Sequence, residues 1–326
     1  MRIGVIGPTW PDGFSAHIIE ALAEMGHDPV ALGSSSAIGS PFTTRALAPA
    51  LRVLPRLDEL GQQRIARAAL ERECEIVISN EERILPGVVS KLRRGGIKVA
   101  LWFTDALVGM GRQTMLLPRY DAMFVKDPYL VNRLRQLLDL PVFYLPEACN
   151  PRYHRPLATP GTDRHLVIAG NMYPSRIRLL ERLMAAGVPL KLYGPGFPRW
   201  VGETPVRRVH TGRLIFLEEK ARVFGSASAV LNNLHPTEIG SVNARLFEAA
   251  GCGAAVLTED RPTVAESFGI GDEVLAFHDF DELVGQARRL LDDDGLSAKL
   301  GAAAAQRAHE DHTYQRRLKV LLETLA

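Results

Sequence analysis

The sequence predicts an α/β protein made of two doubly wound parallel-sheet halves, and three observations lead to that prediction. Short apolar runs alternate with longer amphipathic segments along most of the chain. A proline-dense stretch without periodicity, Leu145–Pro156, interrupts this alternation once before it restarts. The chain has 326 residues, of which 46% are hydrophobic and 23% charged, an ordinary globular composition with enough length for two domains.

The amino-terminal half alternates strands with helices in the manner of a parallel sheet that is covered on both faces. Its first helix places Ile18, Ile19, Leu22 and Met25 on one face. The predicted strands are Ile3–Ile6, Pro29–Leu32, Glu75–Ser79, Lys98–Phe103, Ala122–Val125 and Val142–Leu145. The predicted helices are Ser15–Met25, Gln62–Glu73, Leu85–Arg94 and Pro128–Leu138.

The proline-dense stretch, which runs on through residues 159–162, is interpreted as an interdomain linker. We therefore predict a Rossmann-like domain over residues 1–155 and a second over residues 156–326, whose terminal helix can pack back on the first domain. Ligands of open α/β sheets bind outside the carboxyl ends of the strands, so two such domains facing each other would enclose a cleft. The predicted strands of the second domain are Leu166–Ala169, Leu190–Tyr193, Ala229–Asn232, Ala254–Leu257 and Glu273–Phe277. Its predicted helices are Arg176–Ala186, Phe216–Phe224, Val242–Ala250, Phe280–Leu291 and the tail after Ser297.

Composition narrows the function classes. A formal net charge of +2 gives no electrostatic case for binding nucleic acid. The three cysteines lack the paired spacing of metal ligands and are expected to be reduced thiols in a reducing compartment. No secretory signal is visible, and no apolar run approaches the roughly 20 residues that span a bilayer. We expect a cytoplasmic protein without an integral membrane segment.

The most informative segment runs from Asn232 to Thr258 and is predicted to form a strand, a polar loop, a short helix, a Gly-Cys-Gly turn and a strand. A polar loop that leads into a helix is an anion site, because free backbone N–H groups and the helix dipole both point there. Glu248 follows about a turn and a half into that helix. The arrangement suits a sugar nucleotide, with its diphosphate at the helix start and its ribose hydroxyls on Glu248.

This segment resembles the donor-binding segment of GT-B glycosyltransferases. It is most similar to the group related to the spore proteins CgeB and YkvP, in which the pattern is Gly-Ser-Val-Asn-x-Arg-x-Phe-Glu-x-x-x-Cys-Gly; here that pattern starts at Gly240. The stretch Trp102-Phe103-Thr104-Asp105 resembles a further element of that group, as does His312-Thr313-Tyr314, which we interpret as packing of the terminal helix.

The resemblance implies the GT-B fold, with two Rossmann-like domains facing a central cleft. It further implies transfer of a sugar from a nucleotide-diphosphate donor (a UDP, GDP or TDP sugar) to an acceptor, with no metal and no cofactor. Many retaining members carry a second glutamate eight positions before the ribose-binding one. Gly240 occupies that place here, and the nearest acid is Glu238. The acceptor half of the chain matches the family only in scattered elements, so the resemblance does not identify the acceptor.

Nine residues are predicted to bind the donor. They are Arg176, Tyr193, Gly194, Thr211, Ser241, Val242, Asn243, Arg245 and Glu248. Arg176 occupies the loop that commonly supplies a basic contact to the diphosphate in GT-B proteins. Ser241 and Asn243 can cap the helix and still leave N–H groups for phosphate. Arg245 contacts phosphate or pairs with Glu248, and both interpretations stay open. The loops at Tyr193-Gly194 and Thr211 are expected to frame the nucleobase or to be ordinary turns.

Two residues are candidates for the catalytic base of an inverting reaction. His17 lies in the long loop after the first strand, where some inverting GT-B enzymes carry a catalytic histidine, and Asp12 is the runner-up. Asp105 ends a strand and so lies on the ligand side of the sheet. A retaining reaction could instead use the leaving phosphate as the base. The run Asp292-Asp293-Asp294 is interpreted as a solvated helix end, not a metal site.

Three other function classes are weighed. A nicotinamide-dependent oxidoreductase is disfavoured because no Gly-x-Gly-x-x-Gly follows the first strand. A non-catalytic module that binds sugar nucleotides, and an epimerase with the GT-B fold, would both use the donor segment. Donor turnover would exclude the first of these two, and the stereochemistry of the product would separate the second.

Overall fold

The computed structural model describes residues 1–35, 55–106, 114–157 and 163–326. These residues form two compact units. Met1–Pro146 and Tyr314–Ala326 make up unit 1, and Glu147–Thr313 make up unit 2. Residues 159–162 of the predicted linker lie outside the described ranges. In these ranges, no helix combines the length and the apolar character needed to cross a membrane.

Unit 1 contains a six-stranded sheet in the order β2-β1-β3-β4-β5-β6, with every neighbouring pair parallel. Its strands are β1 (Arg2–Ile6), β2 (Asp28–Gly33), β3 (Ile76–Ser79), β4 (Lys98–Phe103), β5 (Ala122–Val125) and β6 (Val142–Tyr144). Its helices are α1 (Phe14–Glu24), α2 (Pro55–Glu71), α3 (Pro86–Arg94), α4 (Pro128–Leu138) and α11 (Tyr314–Leu325), with a 3-10 turn at Thr114–Leu116.

The central strands of unit 1 are buried on both faces. Every residue of β3 and β5 is buried, because helices cover the two sides of a parallel sheet. On β4, Trp102 is fully buried and its indole N–H donates to the carbonyl of Leu145. The Trp102 ring packs edge-on against Phe14, and Tyr314 at the start of α11 contacts both rings. This aromatic group holds α1 and α11 against β4.

Unit 2 contains a five-stranded parallel sheet in the order β11-β10-β9-β7-β8. Its strands are β7 (Asp163–Ala169), β8 (Leu190–Tyr193), β9 (Ala227–Asn232), β10 (Val256–Glu259) and β11 (Leu275–Phe277). Its helices are α5 (Pro174–Ala185), α6 (Leu217–Ser226), α7 (Ala244–Gly251), α8 (Pro262–Ser267), α9 (Phe280–Asp292) and α10 (Asp294–Asp311), with a 3-10 segment at Pro205–Val209. From β7 the chain adds β8 on one side and later β9 on the other. The strand order therefore reverses between β7 and β9, which is where open α/β sheets bind ligands.

The predicted α/β class with two parallel sheets is confirmed, and the differences lie at element ends and in short helical segments. The helix predicted from Val242 begins at Ala244, because Asn243 has extended backbone angles (φ −115°, ψ 170°) and caps the helix with its side chain. The last strand begins at Leu275, since residues 269–274 form a turn closed by backbone hydrogen bonds. The sequence analysis missed α8, a single short helix that starts at a proline, and the 3-10 segment Pro205–Val209.

Candidate functional site

The loops that follow β7 and β8 touch at the carboxyl edge of the unit 2 sheet. The N–H of Gly170 donates to the carbonyl of Tyr193 over 2.9 Å. Gly194 has φ +150°, and a Cβ added there would lie only 2.3 Å from the carbonyl oxygen of Gly170. A side chain at position 194 would therefore force the two loops apart, so glycine is required for their close approach.

Arg176 lies at the start of α5, beside the reversal point of the sheet, and is buried to 7% exposure. Its Nε donates to Asn233 Oδ1 over 2.8 Å, and its two terminal nitrogens donate to the carbonyls of Asn171 and Asn233. Its guanidinium stacks 4.5 Å from the centre of the Tyr173 ring. Burial lowers the pKa of Arg176, and the nearby Arg245 lowers it further. The guanidinium thus has a defined position next to the edge where ligands bind.

Asn233, which follows β9, connects this group. Besides accepting from Arg176, its amide Nδ2 donates to the Tyr173 hydroxyl over 3.0 Å. The pKa of Tyr173 is raised, chiefly by burial, so the phenol stays neutral. Within the described ranges, the hydrogen-bond partners of Arg176 are all neutral, and no carboxylate forms an ion pair with it. A buried cation without a counter-ion is unusual, because desolvation of a charge is normally offset by a paired charge.

The start of α7 offers backbone donors. The side chain of Asn243 accepts from the N–H of Arg245 over 3.1 Å, as a helix cap does. Among residues that the structure describes, the N–H groups of residues 241–244 have no hydrogen-bond acceptor, although Ser241 and Val242 are buried. Buried N–H groups almost always have a partner, so this loop carries backbone donors that the described acceptors do not use. The Ser241 hydroxyl already has an acceptor, because it donates to the Glu238 carboxylate over 2.5 Å.

Glu248 is buried between two cations. Arg245 donates to one carboxylate oxygen over 2.5 Å, and the Lys220 ammonium of α6 lies 3.0 Å from the other. The pairing of Arg245 with Glu248, one of the two sequence interpretations, is therefore observed. Arg245 also faces α6, with its guanidinium 5.3 Å from the Phe224 ring, and its Nε has no partner in the part of the chain described.

The two loops predicted to frame a nucleobase are joined to each other. The N–H and the hydroxyl of Thr211 both contact the carbonyl of Leu192, and the carbonyl of Arg213 accepts from the N–H of Gly194. Tyr193 is buried at the end of β8. The Thr211 side chain is thus used to hold the loop.

In unit 1, His17 and its runner-up Asp12 lie together. His17 is buried on α1, with its Nε2 3.1 Å from Asp12 Oδ1 and its ring 5.1 Å from the Tyr314 ring. Asp12 has a left-handed backbone (φ +62°), which aspartate tolerates better than most residues. Asp105, by contrast, is exposed just beyond β4. The structure pairs the histidine with a carboxylate and leaves Asp105 apart from that pair in the described contacts.

The aspartate run spans the end of α9 and the start of α10. Asp293 caps α10 by accepting from the N–H of Leu296, and Asp294 pairs with Arg164. Tyr173, Asn233 and Lys220 were not among the residues predicted from the sequence. Asn233 lies in the segment from Asn232 to Thr258, directly after a buried strand, and that position could have identified it. Lys220 carries no local signal, because its partner Glu248 belongs to another helix.

Comparison with known proteins identifies the fold. Residues 176–323 match the family model described as glycosyl transferase-like. No curated protein matches the chain in sequence. Several solved structures match along the whole chain at low identity.

Sucrose-phosphate synthase from Thermosynechococcus elongatus matches with a TM-score of 0.69 and 15% identity over 99% of this chain and 97% of that one. HepE from Anabaena, solved with UDP-glucose, matches with a TM-score of 0.66 and 13% identity over 100% and 99%. AviGT4, a glycosyltransferase of avilamycin A biosynthesis, matches with a TM-score of 0.63 and 18% identity over 99% and 96%. The chain has the GT-B fold of glycosyltransferases, and its second half matches a glycosyltransferase family model.

Proposed function

We propose that the protein is a glycosyltransferase that moves a sugar from a nucleotide-diphosphate donor to an acceptor. The observation that carries the proposal is the buried guanidinium of Arg176, whose described partners are all neutral, at the point where the sheet order reverses. The unused N–H groups of residues 241–244 add donors of the kind that hold phosphate oxygens. A UDP, GDP or TDP sugar supplies the anion, and the HepE structure solved with UDP-glucose gives a precedent in this fold.

The mechanism follows from where charge develops. As the glycosidic bond breaks, negative charge grows on the leaving diphosphate, and donors that are already fixed stabilise it more than they stabilise the ground state. In this proposal Arg176 provides the positive charge and the N–H groups of residues 241–244 provide further donors, and the reaction uses neither a metal nor a cofactor. In this proposal Glu248, held from two sides by Lys220 and Arg245, accepts hydrogen bonds from the ribose hydroxyls.

An inverting reaction also needs a base for the acceptor hydroxyl. We assign that role to His17, because Asp12 accepts a hydrogen bond from its ring and would stabilise the imidazolium that forms when His17 takes the proton. Asp105 is the alternative base. In a retaining reaction the leaving phosphate itself would take the proton. We further propose that the chain belongs with the CgeB- and YkvP-like proteins, on the pattern from Gly240 to Gly253, and that it works in the cytoplasm, in keeping with its three buried free thiols.

A thermal-shift screen against UDP, GDP, TDP and ADP sugars tests the proposal. A ligand at 100 times its dissociation constant stabilises the native state by about 2.7 kcal/mol, a shift of several degrees. We expect at least one nucleotide to give such a shift, and Glu248→Gln to weaken it. Glutamine is preferred to alanine, because it keeps the volume between Lys220 and Arg245. A flat response to all four nucleotides would disprove the proposal.

Incubation of the protein with the nucleotide that binds separates the remaining classes. Release of nucleoside diphosphate from its sugar indicates transfer or hydrolysis, and the anomeric configuration of the product, read by NMR, gives inversion or retention. Binding without turnover would identify a non-catalytic module. An altered configuration at a ring carbon of the sugar would identify an epimerase.

A further inference from the structure

The hydrogen-bonding environment of Arg176 is unusual for a buried cation. Its Nε and one terminal nitrogen both donate to Asn233, to the side-chain oxygen over 2.8 Å and to the backbone carbonyl over 3.1 Å. The stacked Tyr173 ring covers the guanidinium, and the amide of Asn233 donates to the hydroxyl of that same tyrosine. One amide side chain thus fixes both the cation and the ring that packs on it.

An aspartate would have the same shape as Asn233 and would give Arg176 a counter-ion. The chain carries the neutral amide instead. One carboxylate, Glu259, raises the pKa of Arg176 through space, but it already accepts from Arg261 over 3.0 Å and from the N–H of Leu234 over 3.1 Å. Arg245 adds a like charge that lowers the pKa of Arg176. The positive charge is therefore held in place and not neutralised by its immediate neighbours.

We propose that Asn233 is a positioning and specificity residue that orients Arg176 through neutral oxygens, so that the charge of Arg176 remains available to an anionic ligand. The inference rests on the proposed function, in which that anion is the donor's diphosphate. A carboxylate at position 233 would occupy the guanidinium before the ligand arrives, and the diphosphate would have to compete with it. The native site is consequently less stable without ligand than an aspartate site would be, and it binds anions more tightly.

The decisive variant is Asn233→Asp, compared with Asn232→Asp as a matched control. Asn232 is equally buried, but its amide donates to the Thr258 hydroxyl over 3.2 Å, and its Oδ1 has no partner among the residues described. The same new charge at position 232 would meet no cation in the described contacts, and its one neighbouring donor there would be the neutral Thr258 hydroxyl. We expect Asn233→Asp to raise the melting temperature of the ligand-free protein by roughly a few degrees, and Asn232→Asp to lower it.

Binding of inorganic pyrophosphate and of UDP to the same proteins, measured by calorimetry, gives the second readout. We expect Asn233→Asp to weaken both by about tenfold or more, because the guanidinium is already paired. If Asn233 only supported the fold, a single substitution would not raise the melting temperature and weaken ligand binding at the same time. Asn233→Asp that melts below the wild type, or that binds pyrophosphate as tightly as the wild type, would overturn the proposal.

The Arg176→Met variant shows whether the effect of Asn233→Asp depends on the arginine. In that background the stabilisation by Asn233→Asp should disappear and turn into a loss, since the new carboxylate has no cation to meet. A stabilisation that persists without Arg176 would contradict the inference. The melting temperatures are measured without ligand, so they test the role of Asn233 even if no nucleotide binds. Failure of the wild type to bind any nucleotide would count against the proposed function alone.

Discussion

At the scale of single residues, the site depends on conformations and charges that neighbouring side chains impose. Gly194 and Arg176 illustrate the two cases. Gly194 is required by geometry, because its backbone is left-handed and lies against the carbonyl of Gly170. Arg176 contributes charge to the proposed site, and its guanidinium is hydrogen-bonded to Asn233, which lies 57 residues further along the chain. The need for glycine at position 194 can be predicted from a strand followed by a Gly-Pro-Gly turn. The contact between Arg176 and Asn233 can be recognised only in the folded structure.

Replacement of Gly194 by alanine should both destabilise unit 2 and distort the proposed donor site. The new Cβ would lie 2.3 Å from the Gly170 carbonyl oxygen at a backbone angle that L residues rarely adopt, so we expect a loss of about 2–4 kcal/mol. Gly196→Ala is the control, since no atom lies within 4 Å of a Cβ added there and the change should stay within ~0.5 kcal/mol. Chemical denaturation measures both variants. Equal stability of the two would refute the close-contact argument.

At the scale of elements, the sequence predicted the sheet and helix order well because that order is encoded locally. Buried parallel strands read as apolar runs, as in Ile76–Ser79, and a helix start next to a capping residue is visible at Asn243. Contacts between elements are not encoded in this way. Neither the pairing of α6 with α7 through Lys220 and Glu248 nor the joined loops at Gly194 and Arg213 follows from any local pattern.

The contact between α6 and α7 gives an element-scale prediction. Lys220→Met would remove one of the two cations on Glu248 but leave Arg245, so we expect a loss of about 2–3 kcal/mol, below the ~3–5 kcal/mol that follows when a buried charge loses its partner altogether. Lys220→Met combined with Glu248→Gln should cost less than the sum of the two single changes, because the pair is coupled. Urea denaturation of the four proteins completes the cycle. Strict additivity would show that the two side chains do not interact.

The proposed hydrogen bonds between Glu248 and the ribose hydroxyls can be tested with the same variants. The wild type should bind UDP more tightly than 2′-deoxy-UDP if the carboxylate accepts from ribose hydroxyls, and Glu248→Gln should reduce that preference. Lys220→Met should reduce it as well, since one oxygen of the carboxylate is then no longer held. Lys220→Arg keeps the charge and should restore much of the preference. If a variant only lost overall stability, its binding of UDP and of 2′-deoxy-UDP would weaken equally.

At the scale of the whole molecule, the GT-B fold and most of the order of the secondary structure elements were predictable, and the donor segment stays a prediction. The pattern from Gly240 to Gly253 carries its chemistry in consecutive residues, which a sequence can display. The first half of the chain lacks such a segment. His17 and Asp12 are five residues apart, yet their pairing depends on the left-handed turn at Asp12. The acceptor leaves no comparable pattern, because acceptor recognition varies among proteins that share this fold.

The proposed roles of the two units lead to a final prediction, in which donor binding and turnover respond to different variants. His17→Gln in unit 1 should lower kcat by about 10²–10⁴-fold if His17 is the base, and it should leave the affinity for the nucleoside diphosphate unchanged. Asp12→Asn should lower kcat less, because the histidine keeps its place but loses the carboxylate that stabilises the imidazolium. Arg176→Met in unit 2 should abolish donor binding itself.

Asp105→Asn is the control that identifies the base. If His17 is the base, Asp105→Asn keeps most of the turnover, and the reverse result would assign the role to Asp105. Steady-state kinetics with the donor found in the nucleotide screen, together with calorimetry on the same samples, separates the effect on kcat from the effect on binding. Turnover that survives both His17→Gln and Asp105→Asn would exclude an inverting reaction through either residue. The proton would then pass to the leaving phosphate, whose charge Arg176 and the N–H groups of residues 241–244 already balance, and the product would retain the configuration of the donor.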